Sequence, residues 1–204
     1  MPTIGVLAVQ GDFIEHIHAL QRLGVETREV RLPEHLDGLD GLIIPGGEST
    51  TIGKLIDRFG LREPITDFAH DGKPLWGTCA GMIVVAREVD PDTRGRSQPL
   101  LQLMDIEVRR NAFGSQLDSF ETELAMPAVS DTPVPAVFIR APVVSDIGPG
   151  VEVLGRLPDG KIIAARQGNL FVTAFHPELT GDDCVHRWFV ELAGRPATPV
   201  ITLR

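Results

Sequence analysis

Leu75-Trp76-Gly77-Thr78-Cys79-Ala80-Gly81-Met82 carries the residue best suited to covalent chemistry. An apolar run reads as a strand, G-x-C-x-G follows, and a helix comes next. That is the nucleophile-elbow arrangement with Cys in place of Ser. A side chain displayed on a strained strand-to-helix turn needs small neighbours, so that the backbones can pass closely. The turn also places the sulfur at a helix N-terminus, where partial positive charge favours the nucleophilic thiolate over the thiol. Taken alone, the segment also fits a packing-driven tight turn around a buried cysteine.

A cysteine nucleophile needs a base, and the base needs an orienting group. Of six histidines, His176 is best placed, in Phe175-His176-Pro177-Glu178 directly after the strand candidate Leu170–Phe175. Glu178 lies two residues on, with Pro177 stiffening the link, so its carboxylate can hold the imidazole. By itself this is an ordinary surface loop; beside an elbow cysteine it is a base with its orienter. A third segment, Pro45-Gly46-Gly47-Glu48-Ser49-Thr50, also ends a strand. Its paired glycines let backbone N–H groups point into a cavity, which suits an oxyanion hole.

Other patterns are set aside. Gly47 to Lys54 imitates a Walker A loop, but five residues separate the glycines and Leu55 replaces the Ser/Thr that would bind magnesium. His16 and His18 are two apart on a helix and face different sides, with no Cys or acid cluster nearby, so no metal site is expected. The two cysteines, Cys79 and Cys184, form no C-x-x-C pair and no disulfide framework. Cys184, beside Val185, His186 and Trp188, reads as packing.

The elements that position these residues alternate in the first half of the chain. Strands are expected at Thr3–Val9, Glu26–Arg31, Gly41–Ile44 and Lys73–Gly77. Helices are expected through Phe13, Ile14, Ile17, Leu20 and Leu23, through Ile52, Leu55, Ile56 and Phe59, near Ile65 to Ala69, and over Gly81 to Arg87. Alternation with short connections predicts an α/β parallel sheet, whose carboxyl edge gathers the ends of the strands before Cys79 and His176. The second half predicts strands around Met104–Val108, Phe120–Leu124 and Val137–Ile139. Pro158-Asp159-Gly160 then joins Val151–Leu157 to Lys161–Arg166, because Pro presets φ and Gly takes the left-handed position. A last helix is expected from Asp182 to Leu192. Asp90 to Pro99 reads as a polar surface loop. A single domain over 1–194 and a loosely held tail over 195–204 complete the expectation.

The net charge of −9 and the lack of any Lys/Arg run argue against a nucleic-acid partner. Apolar runs far short of a span argue against a membrane. The first residues read as a strand rather than a leader, which makes the cytoplasm the expected compartment.

With PGGEST, GTCAG and HPE in that order, the sequence resembles class I, triad-type glutamine amidotransferases. Within them it is similar to the branch of pyridoxal 5′-phosphate synthase glutaminase subunits, on further segments. These are Ile4-Gly5-Val6-Leu7-Ala8-Val9-Gln10-Gly11, Arg110-Asn111-Ala112-Phe113-Gly114-Ser115-Gln116 with Asp118-Ser119-Phe120-Glu121, and Phe138-Ile139-Arg140-Ala141-Pro142. Asp12 and Phe13 depart from the small or aliphatic residues more usual in the branch. The resemblance implies a flavodoxin-like α/β core and a triad of Cys79, His176 and Glu178. It implies an L-glutamine site lined by Gly47, Glu48, Ser49, Arg110, Ile139 and Arg140, and oxyanion donors at Gly47 and Ala80. It implies no cofactor, and a synthase partner in a large hetero-oligomer that receives the ammonia. Three alternatives remain: the glutaminase subunit of another synthase, a catalytically silent regulatory subunit, and a cysteine hydrolase acting on peptide or γ-glutamyl bonds.

Overall fold

A computed structural model describes residues 1–90, 98–113 and 119–196. Most of the expected polar loop, Gly114, Ser115, Gln116 and Asp118, and the end of the tail lie outside the described residues. The first half runs β1 (Thr3–Leu7), α1 (Phe13–Arg22), β2 (Glu26–Val30), β3 (Gly41–Ile44), α2 (Ser49–Arg58), α3 (Arg62–His70), β4 (Leu75–Thr78) and α4 (Ala80–Val85). The second half is mostly strand: β5 (Ala86–Val89), β6 (Met104–Arg109), β7 (Ser119–Leu124), β8 (Val134–Ile139), β9 (Val143–Ile147), β10 (Glu152–Arg156), β11 (Ile162–Gln167) and β12 (Leu170–Thr173). The last helix is α5 (Cys184–Ala193).

The main sheet has the order β2-β1-β3-β4-β12-β11-β9-β6-β5, with β10 on β11, while β7 and β8 form a separate pair. β2, β1, β3, β4 and β12 are mutually parallel. With β12 as fifth strand this is the flavodoxin-like order, which opens a ligand crevice beyond the strands' carboxyl ends. β3, β4 and β12 are buried at every position. Strands covered on both faces must be apolar runs rather than alternating ones, and GLII, LWGT and LFVT meet that demand. Beyond β12 the pairing turns antiparallel through β11 and β9, and the half-exposed β6 and β8 alternate buried and part-buried residues. α1 packs on α5 and α2 on α4. Trp76, Phe171 and Phe189 form the aromatic centre between the sheet and α5.

Two expectations are corrected. The helix expected to reach Arg87 ends at Val85, and Ala86 turns extended so that β5 pairs in parallel with β6. A continuous apolar run does not distinguish buried helix from buried strand. The β9 strand was not anticipated: it makes VVSDI a bridge between β6 and β11, a role set by tertiary pairing rather than by its own pattern.

Candidate active site

The register places the chemistry. Thr78, the last residue of β4, pairs with Thr173, the last of β12. The next residue, Cys79, donates its backbone N–H to Thr173 O at 2.8 Å. His176 follows three residues later, its own N–H on Val137 O of β8 at 2.8 Å. Two side chains far apart in sequence therefore leave adjacent parallel strands on the same edge.

Cys79 holds φ 48°, ψ −101°, a conformation few non-glycine residues adopt. The flanking glycines make the turn possible by close approach. A Cβ on Gly77 would sit 2.6 Å from the Gly81 backbone, and one on Gly81 would sit 2.0 Å from Ile44 O. Cys79 is 8% exposed, at the floor of a cleft of about 500 Å³.

His176 Nδ1 lies 2.7 Å from Glu178 Oε1, and Cys79 also interacts with the ring. Burial alone would lower the imidazole, but hydrogen bonds to Cys79 and Glu178 and their charges raise it to about 10. Burial pushes the Glu178 carboxyl above its usual range, opposed by the His176 contact. These effects pull in opposite senses, and the 2.7 Å contact favours imidazolium against carboxylate. α4 has only six residues, so His176 rather than a long helix dipole is the positive partner of the sulfur.

The cleft is lined by Gly47, Glu48, Ser49, Cys79, Ala80, Arg110, Ile139, Arg140 and His176, with Glu178 buried behind His176. All ten residues expected at the site are thus brought together. Glu48 caps α2 by accepting from Thr50 N and Thr51 N, and also faces Arg110 at 3.6 Å. Burial opposes its ionisation, yet the bonds from Thr51 and Thr50 lower its carboxyl to about 2. Arg110 and Arg140 with Asp12 and Glu48 give the cleft both signs of charge, which suits a zwitterionic amino-acid end. Ala80, first residue of α4, has no intrahelical acceptor for its N–H.

Several residues escaped the sequence reading. Gln98 Oε1 accepts from Ser49 Oγ, Thr50 Oγ1 and Arg110, tying the β3 loop to the arginine. No sequence motif marks it, because its partners are about 12 and 49 residues away. Asn111 lines the cleft at φ 48°. Asp12 Oδ2 lies 3.7 Å from His176 Nδ1. Asp12, His176 and Glu178 offer ligand atoms within 4.8 Å of one another, but Nδ1 and Oε1 are committed to each other. His16 also needs correction: the fold brings an acid to it, with Glu178 Oε2 at 3.4 Å. Its signal was its place on the buried face of α1 with Ala19 and Leu20, where an apolar residue would be usual. Cys184 is half-buried against the core, its thiol pushed up to about 12 by burial and by Asp182, as packing requires.

Known proteins resemble the chain in sequence and in fold. The chain is 60% identical over 190 residues to the pyridoxal 5′-phosphate synthase subunit PdxT of Herpetosiphon aurantiacus, covering 93% of this chain and 100% of that one. It is 55% identical over 189 residues to the protein of the same name from Corynebacterium jeikeium, covering 93% and 95%. A solved glutamine amidotransferase is 49% identical and superposes with a TM-score of 0.87, covering 94% of this chain and 99% of its own. PurLQS from Thermotoga maritima, at 18% identity and TM-score 0.68 over 93% of this chain and 98% of that one, shares the fold. The family model for SNO glutamine amidotransferases matches residues 6–194, and the chain belongs to that family.

Proposed function

We propose that this chain hydrolyses L-glutamine to L-glutamate and ammonia, and passes the ammonia to a pyridoxal 5′-phosphate synthase subunit in a hetero-oligomer. The observation that carries the reading is the cleft itself: elbow Cys79 and a His176–Glu178 pair 2.7 Å apart open onto a charge-paired pocket. The Cys79 sulfur attacks the side-chain carboxamide carbon, and the oxyanion is met by the N–H groups of Gly47 and Ala80. His176 gives its proton to the departing ammonia, leaving a thioester. The same imidazole then takes a proton from water, which releases glutamate and frees the sulfur. Glu178 holds the ring and its charge throughout. The chemistry needs a reduced thiol, which fits the cytoplasm.

Arg110 is assigned the glutamine α-carboxylate through a charge-assisted hydrogen bond. Arg110→Ala is expected to raise the glutamine KM by about tenfold or more and to lower kcat far less. An unchanged KM in steady-state kinetics would make the residue structural.

The partner is expected to control the oxyanion hole. Gly46 O accepts from Asp12 N at 3.1 Å, and Glu48 N donates to Gln10 Oε1 at 2.9 Å. The peptides on both sides of Gly47 (φ 145°) are thus held by the loop after β1. In a trans peptide C=O and N–H point oppositely, so fixing Gly46 O fixes the aim of the Gly47 N–H. Docking on that loop would redirect it, and one oxyanion donor is worth about 10²–10³ in rate. The test of the whole reading is ammonia release from glutamine by the isolated chain and with saturating synthase subunit. A low rate alone and a much higher rate in the complex are expected, with the activation ratio reduced in Gln10→Ala. Full activity alone would remove the switch, and no ammonia under either condition would remove the function.

A further inference from the structure

Behind the triad, α1 and α5 each direct a fully buried histidine toward β4. His16 and His186 are both 0% exposed, with His16 Nδ1 2.9 Å from His186 Nε2. Trp76 packs edge-on against both rings. His16 Nε2 lies 3.2 Å from Thr78 Oγ1 and 3.4 Å from Glu178 Oε2. Glu178 gives Oε1 to His176, while Oε2 is buried and forms no hydrogen bond among the described residues. An ionised carboxylate with one oxygen desolvated is costly unless a donor faces it.

Proton bookkeeping decides what His16 offers. Burial, then His186 and His176, hold the His16 ring well below 6.5, and burial lowers His186 to about 4. Both rings are neutral at neutral pH, and each carries one N–H. A proton on His16 Nδ1 would leave the Nε2 lone pair facing the Glu178 carboxylate. A proton on Nε2 gives an N–H that bonds Thr78 Oγ1 and lies 3.4 Å from Glu178 Oε2 without a hydrogen bond to it, and lets Nδ1 accept from His186 Nε2–H. The His186 Nδ1 lone pair is then the group left without a partner, consistent with its unpaired state.

We propose that His16 is a positioning residue for the reaction: its Nε2–H, held on Thr78 Oγ1, presents a positive edge to the second oxygen of Glu178 3.4 Å away, and His186 fixes the tautomer that makes this possible. The carboxylate is thereby kept ionised and aimed at His176. The kinetic consequence rests on the glutaminase reading, whereas the electrostatic consequence for Cys79 does not. The charged and titratable groups facing Glu178 are His176 from its own turn, Asp12 from the loop before α1, and His16 from α1. His186 stands one ring further back on α5.

The test uses the full chain with Cys184→Ala, so that iodoacetamide reports Cys79 alone. Alkylation rate is measured across pH, and glutamine hydrolysis is measured with the synthase subunit present. His16→Leu removes the N–H while filling much of the space; His16→Gln puts an amide N–H near the Nε2 position. Without a donor the Glu178 carboxyl rises and supports imidazolium less. The alkylation midpoint in His16→Leu should therefore move up by about one pH unit, with kcat down about tenfold and KM unchanged. His16→Gln should recover most of both, and His186→Phe should shift them less in the same direction. A role in packing alone would lower the melting temperature of His16→Leu and leave the alkylation profile in place, which would overturn the proposal. So would a His16→Gln variant no better than His16→Leu. If His16→Leu does not fold, an unmoved profile in His186→Phe overturns it equally. A wild type that alkylates as expected but releases no ammonia sinks the glutaminase reading, while the alkylation comparison still decides His16.

Discussion

Cys79→Ser is expected to abolish glutamine hydrolysis, by about 10⁴-fold or more, with the melting temperature and circular dichroism of the wild type. Serine fits the strained φ 48° turn as well as cysteine does, and at 8% exposure the site has little room to rearrange. What is lost is the nucleophile. A hydroxyl is far harder to deprotonate than a thiol, and the surrounding groups are arranged for an anion on sulfur. Cys184→Ala should keep most activity, because that thiol is pushed up to about 12 and caps nothing in the cleft. The reverse pattern in an ammonia-release assay would overturn the elbow assignment.

His176→Ala should match the Cys79 loss, while Glu178→Gln should be milder by about one to two orders of magnitude. In the proposed cycle His176, between sulfur and carboxylate, moves every proton, so nothing would replace it. A glutamine at 178 can still accept the Nδ1–H bond but stabilises imidazolium less. Removing one partner of a buried pair leaves the other uncompensated, so Glu178→Gln should also melt below wild type, and its effect on rate is read well below that melting temperature. The sign for pH follows from the raised imidazole. Stability from the His176 contacts is complete below the unfolded histidine value near 6.5, and is lost as pH rises through about 10. A Cys79/His176 double variant should be little worse than either single one; strictly multiplying losses would argue against a shared mechanism.

Much of this site was legible because its residues follow strand ends. Cys79, His176 and the Gly46-Gly47 pair each come directly after an apolar run, and three such runs became adjacent parallel strands. Gly77 and Gly81 had the packing role that their spacing suggested. Less legible were residues whose roles depend on distant contacts. Gln98 is a hub only because the β3 loop and Arg110 meet over it. His16 looked solitary along the chain and acquired Glu178 through the packing of α1 beneath the site. β9 has too short and mixed a pattern to declare itself before β6 and β11 are in place.

The position of β12 has a consequence for biosynthesis. It lies between β4 and β11 in the middle of the sheet, and Trp76 of β4 bonds Thr173 of β12 across 97 residues of chain. A ribosome that has released the elbow cysteine has yet to make the histidine that arms it. Until β12 slots into the gap beside β4, the nascent chain carries a thiol without a base, and the loop closure required is long and slow. Truncated or stalled products should therefore lack the capacity to waste glutamine, because the last central strand to emerge is the one that completes the catalyst.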